Sequence, residues 1–234
     1  MRTLQKGGNT VDAMISVAFS LGVAEPSGSS IGGDGFIMGN MADKGTIEVA
    51  NGTGAAPLAA TPDNYTKGIP MTGFKSVSVP GIVDALLAVH EKYGSLTLET
   101  CIEPAIELCE DGVPVSYFQS ENAKTFRPLI EYPTSAEVFA PQGKWLKPGD
   151  KRRNQNLAKT YKKISKRGRD EFYLGDTAKA IVKFSDETGG FIKSVDLSRH
   201  SMKWQNPIST NYRDKVIYEA PPNSSGHVLL QELN

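Results

Sequence analysis

A layered core of helices packed on a sheet is predicted for this 234-residue chain by three features of its sequence. The first is a segment, Thr10 to Leu21, that is apolar around nearly its whole circumference when wound as a helix. A helix that apolar is buried on most sides, which places it inside a layered architecture. The second is a pair of short extended runs, Phe36 to Met41 and Thr46 to Ala50, joined by Asp43-Lys44-Gly45. Two such runs across a charged glycine turn form a β-hairpin. The third is a series of amphipathic helical patterns from Gly81 onward, separated by glycine and proline.

Taken in order, Asn9 stands where it caps the first helix and Gly22 where it ends it. Asp12, Ser16 and Ser20 leave that helix one narrow polar stripe. A Gly/Ser-rich turn, Glu25 to Gly35, then feeds the first strand. Lys75 to Val79 alternates with period two and predicts another strand. Ile82, Ala85, Leu86, Val89 and Tyr93 recur at helical spacing and stop at Gly94. Leu98 to Glu110 continues the pattern, with Pro104 expected to kink or split it because proline removes a backbone donor. Leu157, Ala158, Tyr161 and Ile164 give a third helical face ended by Gly168, and Phe172 to Asp186 a fourth. Ile208–Tyr212 and Lys215–Tyr218 predict a hairpin turning at Arg213-Asp214. Val228 to Asn234 reads as the first turns of a helix with no C-cap signal, so the chain is expected to be truncated there.

Composition narrows the function classes. The 39% hydrophobic and 22% charged residues suit a folded globular protein. Formal net charge is zero, which removes the global field that would draw the chain to nucleic acid or an anionic membrane. The longest apolar run falls short of the roughly 20 residues a spanning helix needs. Met1 to Lys6 has no apolar segment of a secretory signal, which leans toward a cytoplasmic setting. Cys101 and Cys109 would stand about 12 Å apart along one helix, too far for a disulfide; buried free thiols are expected.

Several chemical motifs are weighed and set aside. The glycines of Ile31-Gly32-Gly33-Asp34-Gly35-Phe36 lack a following Lys-Ser/Thr and lead into a strand, unlike a phosphate loop. The basic residues from Lys147 to Arg153, with Lys162, Lys163, Lys166, Arg167 and Arg169, read as a solvated helix face. His90, His200 and His227 have no paired ligand spacing, so neither a metal nor a cofactor is expected. His90 falls in the last turn of its helix, where the dipole favours a cation. No Gly-x-Ser-x-Gly elbow is present, and Ser224-Ser225-Gly226 taken alone is a turn.

Read together, the segments resemble the gamma-glutamyltranspeptidase family. The matching pieces begin with Lys6-Gly7-Gly8-Asn9-Thr10-Val11-Asp12-Ala13, Gly22-Val23-Ala24-Glu25-Pro26 and Ile31-Gly32-Gly33-Asp34-Gly35-Phe36. They continue through Ala56-Pro57, Val79-Pro80-Gly81, Tyr93-Gly94-Ser95-Leu96 and Glu103-Pro104-Ala105-Ile106. Late matches are Leu146-Lys147-Pro148-Gly149-Asp150, Phe172-Tyr173-Leu174-Gly175 and Ala220-Pro221-Pro222-Asn223-Ser224-Ser225-Gly226. The resemblance implies an α+β fold, the four-layer αββα sandwich of N-terminal-nucleophile hydrolases, with this chain as an incomplete large subunit. It implies one precursor that cleaves itself, and a nucleophilic threonine at the head of a small subunit beyond Asn234. That hydroxyl would attack an amide carbonyl with its own α-amine as base, so this chain by itself would be inert.

The resemblance also implies that the large subunit contributes recognition of a small-molecule substrate. Where glutathione-cleaving members carry a carboxylate-gripping arginine, this chain has Thr53, within Asn51-Gly52-Thr53-Gly54-Ala55-Ala56-Pro57. Thr53, Asn51 and Gly52 are therefore the expected substrate-binding residues. A neutral hydroxyl bond has roughly half the strength of a charge-assisted one, which weakens selection for a glutamyl α-carboxylate. Asn-Gly-Thr-Gly and Asp34 are more similar to the acylase-like branch that includes cephalosporin acylases, and His227 stands in place of the second glycine after Ser-Ser-Gly. Three functions follow from the resemblance: a gamma-glutamyl amide hydrolase or transferase, a cephalosporin-acylase-like hydrolase, and a scaffold that has lost its nucleophile. The expected partners are a small-molecule substrate and the small subunit, with homo-oligomers left open and neither nucleic acid nor membrane involved.

Overall fold

The computed structural model describes residues 1–42 and 44–234, with the side chains of all of these except Arg127 and Pro128. Its class is α+β. Helix α1 (Thr10–Ala24) precedes an antiparallel hairpin, β1 (Gly35–Met41) and β2 (Thr46–Gly52). Helices α2 (Ile82–Tyr93), α3 (Leu98–Asp111), α4 (Gln155–Arg167), α5 (Arg169–Tyr173) and α6 (Asp176–Glu187) follow. Strand β3 (Lys203–Gln205) then joins the free edge of β2, giving the antiparallel order β1-β2-β3. A separate hairpin, β4 (Ile208–Tyr212) with β5 (Lys215–Glu219), leads into α7 (Gly226–Glu232). It turns at Arg213 and Asp214, whose φ values of 45° and 63° suit the tight two-residue hairpin turn.

The core lies between α1, α3, α4 and α5. Ile15, Phe19, Cys101, Ile102, Tyr161, Ile164, Phe172 and Tyr173 form one buried cluster, and both cysteines are free and buried. Burial pushes each thiol up to about 12, which keeps them protonated and inert. A second cluster of Ala50, Ala85 and Val89 seats α2 on one face of the sheet.

Asp12 ties these helices together. Its carboxylate closes a capping box with Asn9 and accepts the backbone N–H groups of Ser95 at 3.0 Å and Leu96 at 3.2 Å. The Ser95 hydroxyl donates at 2.5 Å. Burial pushes this carboxyl up, but the bonds from Ser95, Asn9 and Leu96 outweigh it and hold the group below its ordinary value of 3.8.

Four local expectations differ from the structure. Helix α1 does not end at Gly22; it runs on to Ala24, and the absent Cβ makes room for the Tyr161 hydroxyl. Its polar stripe, whose direction the sequence left open, is turned inward, with Asp12 and Ser16 buried while Val17 is 55% exposed. Lys75 to Val79 is not a strand, because its groups bond singly to loops: Val79 N–H to Ala55, and Lys75 C=O from the Tyr65 hydroxyl. Pro104 does not split α3, which runs through it as one helix. The fourth helical face is two helices, α5 and α6, divided at Leu174-Gly175. Asp43, expected in the first hairpin turn, lies outside the described residues.

The basic face is only partly solvated. Lys162 pairs with Glu110 and Lys163 with Asp176 at the surface, but Arg152 is buried and donates to the Val23 and Ala24 carbonyls at the end of α1. Arg169 bonds Asp84 at 2.7 Å.

Asp12→Asn places an amide N–H₂ among groups that must donate, and is expected to cost about 3 kcal/mol in urea unfolding at neutral pH. Because the folded carboxyl lies below its unfolded value, the unfolded chain binds protons more readily. The stabilisation is complete above the ordinary value of 3.8 and is lost as pH falls through the folded value, so the variant should show a flatter acid limb.

Candidate functional site

The loop after β2 is built by backbone contact. Gly54 passes so near Val79 that a Cβ on Gly54 would lie 1.5 Å from the Val79 carbonyl oxygen. A Cβ on Gly81 would lie 2.4 Å from the Gly52 oxygen, and one on Gly52 would meet the Ala85 methyl at 2.6 Å. Only glycine fits such approaches. This gives Asn-Gly-Thr-Gly and Val-Pro-Gly one physical cause.

Asp34 clamps the two stretches together. Its Oδ1 accepts the N–H groups of Gly54 at 2.8 Å and Gly81 at 3.1 Å, and its Oδ2 accepts the Ser78 hydroxyl at 2.7 Å. Gly81 and Ile82 N–H also reach the Gly33 carbonyl, each at 3.1 Å. The glycine turn thus serves packing and loop anchorage. From behind, the Tyr173 hydroxyl donates to the Pro80 carbonyl at 2.9 Å. Asp84 accepts Arg169 Nε at 2.7 Å and Met202 N–H at 2.6 Å, bracing the same segment. His200 stacks on Tyr173, ring centroids 5.1 Å apart, with Nε2 3.7 Å from Asp84 and no hydrogen-bond partner among the described residues. Burial lowers its pKa against the pull of Asp84, which favours the neutral ring.

The three expected binding residues sit together where β2 ends and this loop begins. Asn51 and Gly52 are buried and Thr53 is half-buried. Asn51 Oδ1 accepts both the Thr53 N–H at 3.0 Å and the Thr53 hydroxyl at 2.6 Å. Its Nδ2 donates to Gln205 at 2.9 Å and to Asn223 at 3.2 Å. Asn223 brings in the Pro221-Pro222-Asn223-Ser224-Ser225 turn, where the Ser224 hydroxyl donates to the Ala220 carbonyl at 2.5 Å. Sequence reasoning missed the roles of Asn223, Gln205 and Asp84; the repeated glycines were the available signal for the loop contact. A cavity of about 600 Å³ opens beside Asp34, lined by Ser27, Ser30, Ile31, Phe36 and Met38 among others.

Asp12, His90 and Cys101 also converge, with ligating atoms within 4.8 Å of one another. Asp12 is already saturated by donors, the Cys101 thiol is held protonated, and His90 Nε2 meets the Leu96 carbonyl at 3.0 Å. This is a hydrogen-bonded piece of core.

Comparison with known proteins gives the family. The family described as gamma-glutamyltranspeptidase matches residues 1–234. The chain belongs to the gamma-glutamyltranspeptidase family. It is 36% identical over 237 residues to the glutathione hydrolase-like YwrD proenzyme of Bacillus subtilis, covering 100% of this chain and 45% of that protein. The gamma-glutamyltranspeptidase of Helicobacter pylori superposes with a TM-score of 0.91 at 32% identity, over 96% of this chain and 67% of that one. A cephalosporin acylase from Bacillus halodurans superposes at 0.88 with 33% identity, over 95% of this chain and 43% of its own. The chain thus spans less than half the length of the curated relative it matches. Both solved structures superpose on nearly the whole of this chain.

Gly54→Ala is expected to destabilise the chain by about 3 kcal/mol or more, as overpacking against immovable backbone. Thermal unfolding of that variant beside Gly45→Ala separates the steric effect from left-handed backbone strain. Gly45 has a φ of +61° and open space, so its cost is conformational alone.

Proposed function

We propose that this chain forms the large-subunit wall of an N-terminal-nucleophile amide hydrolase of the gamma-glutamyltransferase type. The observation that carries the reading is the family match along all 234 residues, on a fold whose glycine loop holds Thr53 beside the Asn223 turn. A threonine hydroxyl at the head of a small subunit from the same precursor attacks the amide carbonyl, with its α-amine taking the proton. Backbone N–H groups stabilise the oxyanion, and the acyl-enzyme is released to water or to an acceptor amine. Thr53 meets the acyl donor, while Asn51 and Gly52 fix its position. Partnership with a second subunit is supported by the sheet: among the described residues β1 pairs on one edge only, and Met38 is 45% exposed.

A second reading, a cephalosporin-acylase-like hydrolase without glutamyl specificity, is favoured by Thr53 itself. A planar guanidinium pairs a carboxylate through two parallel bonds, and a hydroxyl cannot. The complete translated protein decides among the readings. Self-cleavage should give two chains by intact mass, and gamma-glutamyl-p-nitroanilide should be hydrolysed. Turnover of butyryl-p-nitroanilide at an equal or better rate selects the acylase reading, and a single uncleaved, inactive chain selects a scaffold.

A further inference from the structure

The hydrogen bonds of Asn51 determine what Thr53 can offer a substrate. The Thr53 backbone N–H donates to Asn51 Oδ1, so that atom is an acceptor and the orientation of the amide is settled. Both Nδ2 protons are used, toward Gln205 and Asn223. The Thr53 hydroxyl oxygen stands 2.6 Å from the same Oδ1. Two oxygens at that distance need a proton between them, and only the hydroxyl has one to give. It has two contacts with Asn223, both at 3.2 Å; with its proton on Asn51, the one that forms a hydrogen bond is the donation from Asn223 Nδ2 to the hydroxyl oxygen, and Asn223 Oδ1 is a second acceptor beside it. What Thr53 has left is lone-pair density. One residue further, Gly54 N–H rests on the Asp34 carboxylate, which adds negative charge to the corner.

We infer that the Thr53 corner accepts hydrogen bonds from the acyl donor, holding an ammonium or amide N–H group and not a carboxylate. The inference rests on the acyl-transfer reading and names the substrate class of that site. A carboxylate brought to the corner would meet lone pairs and a like charge, and an ammonium would meet complementary ones. Lys203 is the competing anchor for a carboxylate. It stands opposite Asn51 in the β2–β3 register, and residues so paired carry their side chains on one face.

Three matched p-nitroanilides test the inference on the complete translated protein. The gamma-glutamyl compound has both ammonium and carboxylate, the 4-aminobutyryl compound has the ammonium alone, and the glutaryl compound has the carboxylate alone. The expected result is a kcat/KM for 4-aminobutyryl about tenfold or more above glutaryl, the scale of one charge-assisted hydrogen bond. Thr53→Arg should reverse that order with self-cleavage unchanged by intact mass, and Lys203→Gln should leave it in place. Equal or faster turnover of the glutaryl compound by the wild type overturns the inference alone. Loss of a carboxylate preference in Lys203→Gln would assign that recognition to Lys203, against the inference. Turnover of butyryl-p-nitroanilide with none of the three overturns the inference alone, and turnover of none of the four overturns the acyl-transfer reading, and the inference with it.

Discussion

Two stretches of backbone, Asn51–Gly54 and Val79–Gly81, approach so closely that no side chain fits between them. Much else in the fold keeps that contact in place. Asp34 clamps it from the glycine turn through two backbone N–H groups and the Ser78 hydroxyl. Tyr173 and the Asp84–Arg169 pair brace it from the helical layer. A loop held on both sides by backbone has little freedom, which is what a recognition surface requires if binding is not to be offset by ordering entropy.

That rigidity gives Thr53 a defined chemical polarity. The same threonine on a mobile loop would rotate its hydroxyl to suit either a donor or an acceptor. Here the Asn51 amide holds the proton, and Asn51 is itself fixed by Gln205 and Asn223. Hydrogen-bond networks of this kind act as a unit, so the character of the corner belongs to four side chains and one backbone N–H. Family membership leaves the acyl group open; under the proposed reading, this network is what turns a carboxylate away.

The buried polar groups of the helical layer divide by role. Asp12 is a structural carboxylate whose pull on three backbone N–H groups joins α1 to the segment between α2 and α3. Its neighbours Cys101 and His90 look like a ligand set when viewed as residue types, yet their lone pairs and protons are already committed within the core. Arg152 likewise caps the carbonyl end of α1 and is withdrawn from solvent, so its charge serves packing.

Local physics determined much of this protein from sequence: the α1 cap at Asn9, the two hairpins, the helices ending at Gly94 and Gly168, and the unpaired thiols. Each depends on neighbours within a few residues, where capping, periodicity and turn chemistry operate. The ordered set of glycine and proline motifs also carried the family. Tertiary structure alone decided that Gly22 serves Tyr161 and that Lys75–Val79 spends its bonds on loops. It likewise decided that Asp34 reaches Gly54 and that Asn51, Thr53 and Asn223 meet, because contacts spanning up to 172 residues leave no trace in local spacing. The direction of a single hydroxyl proton follows from that meeting, and no sequence pattern encodes it.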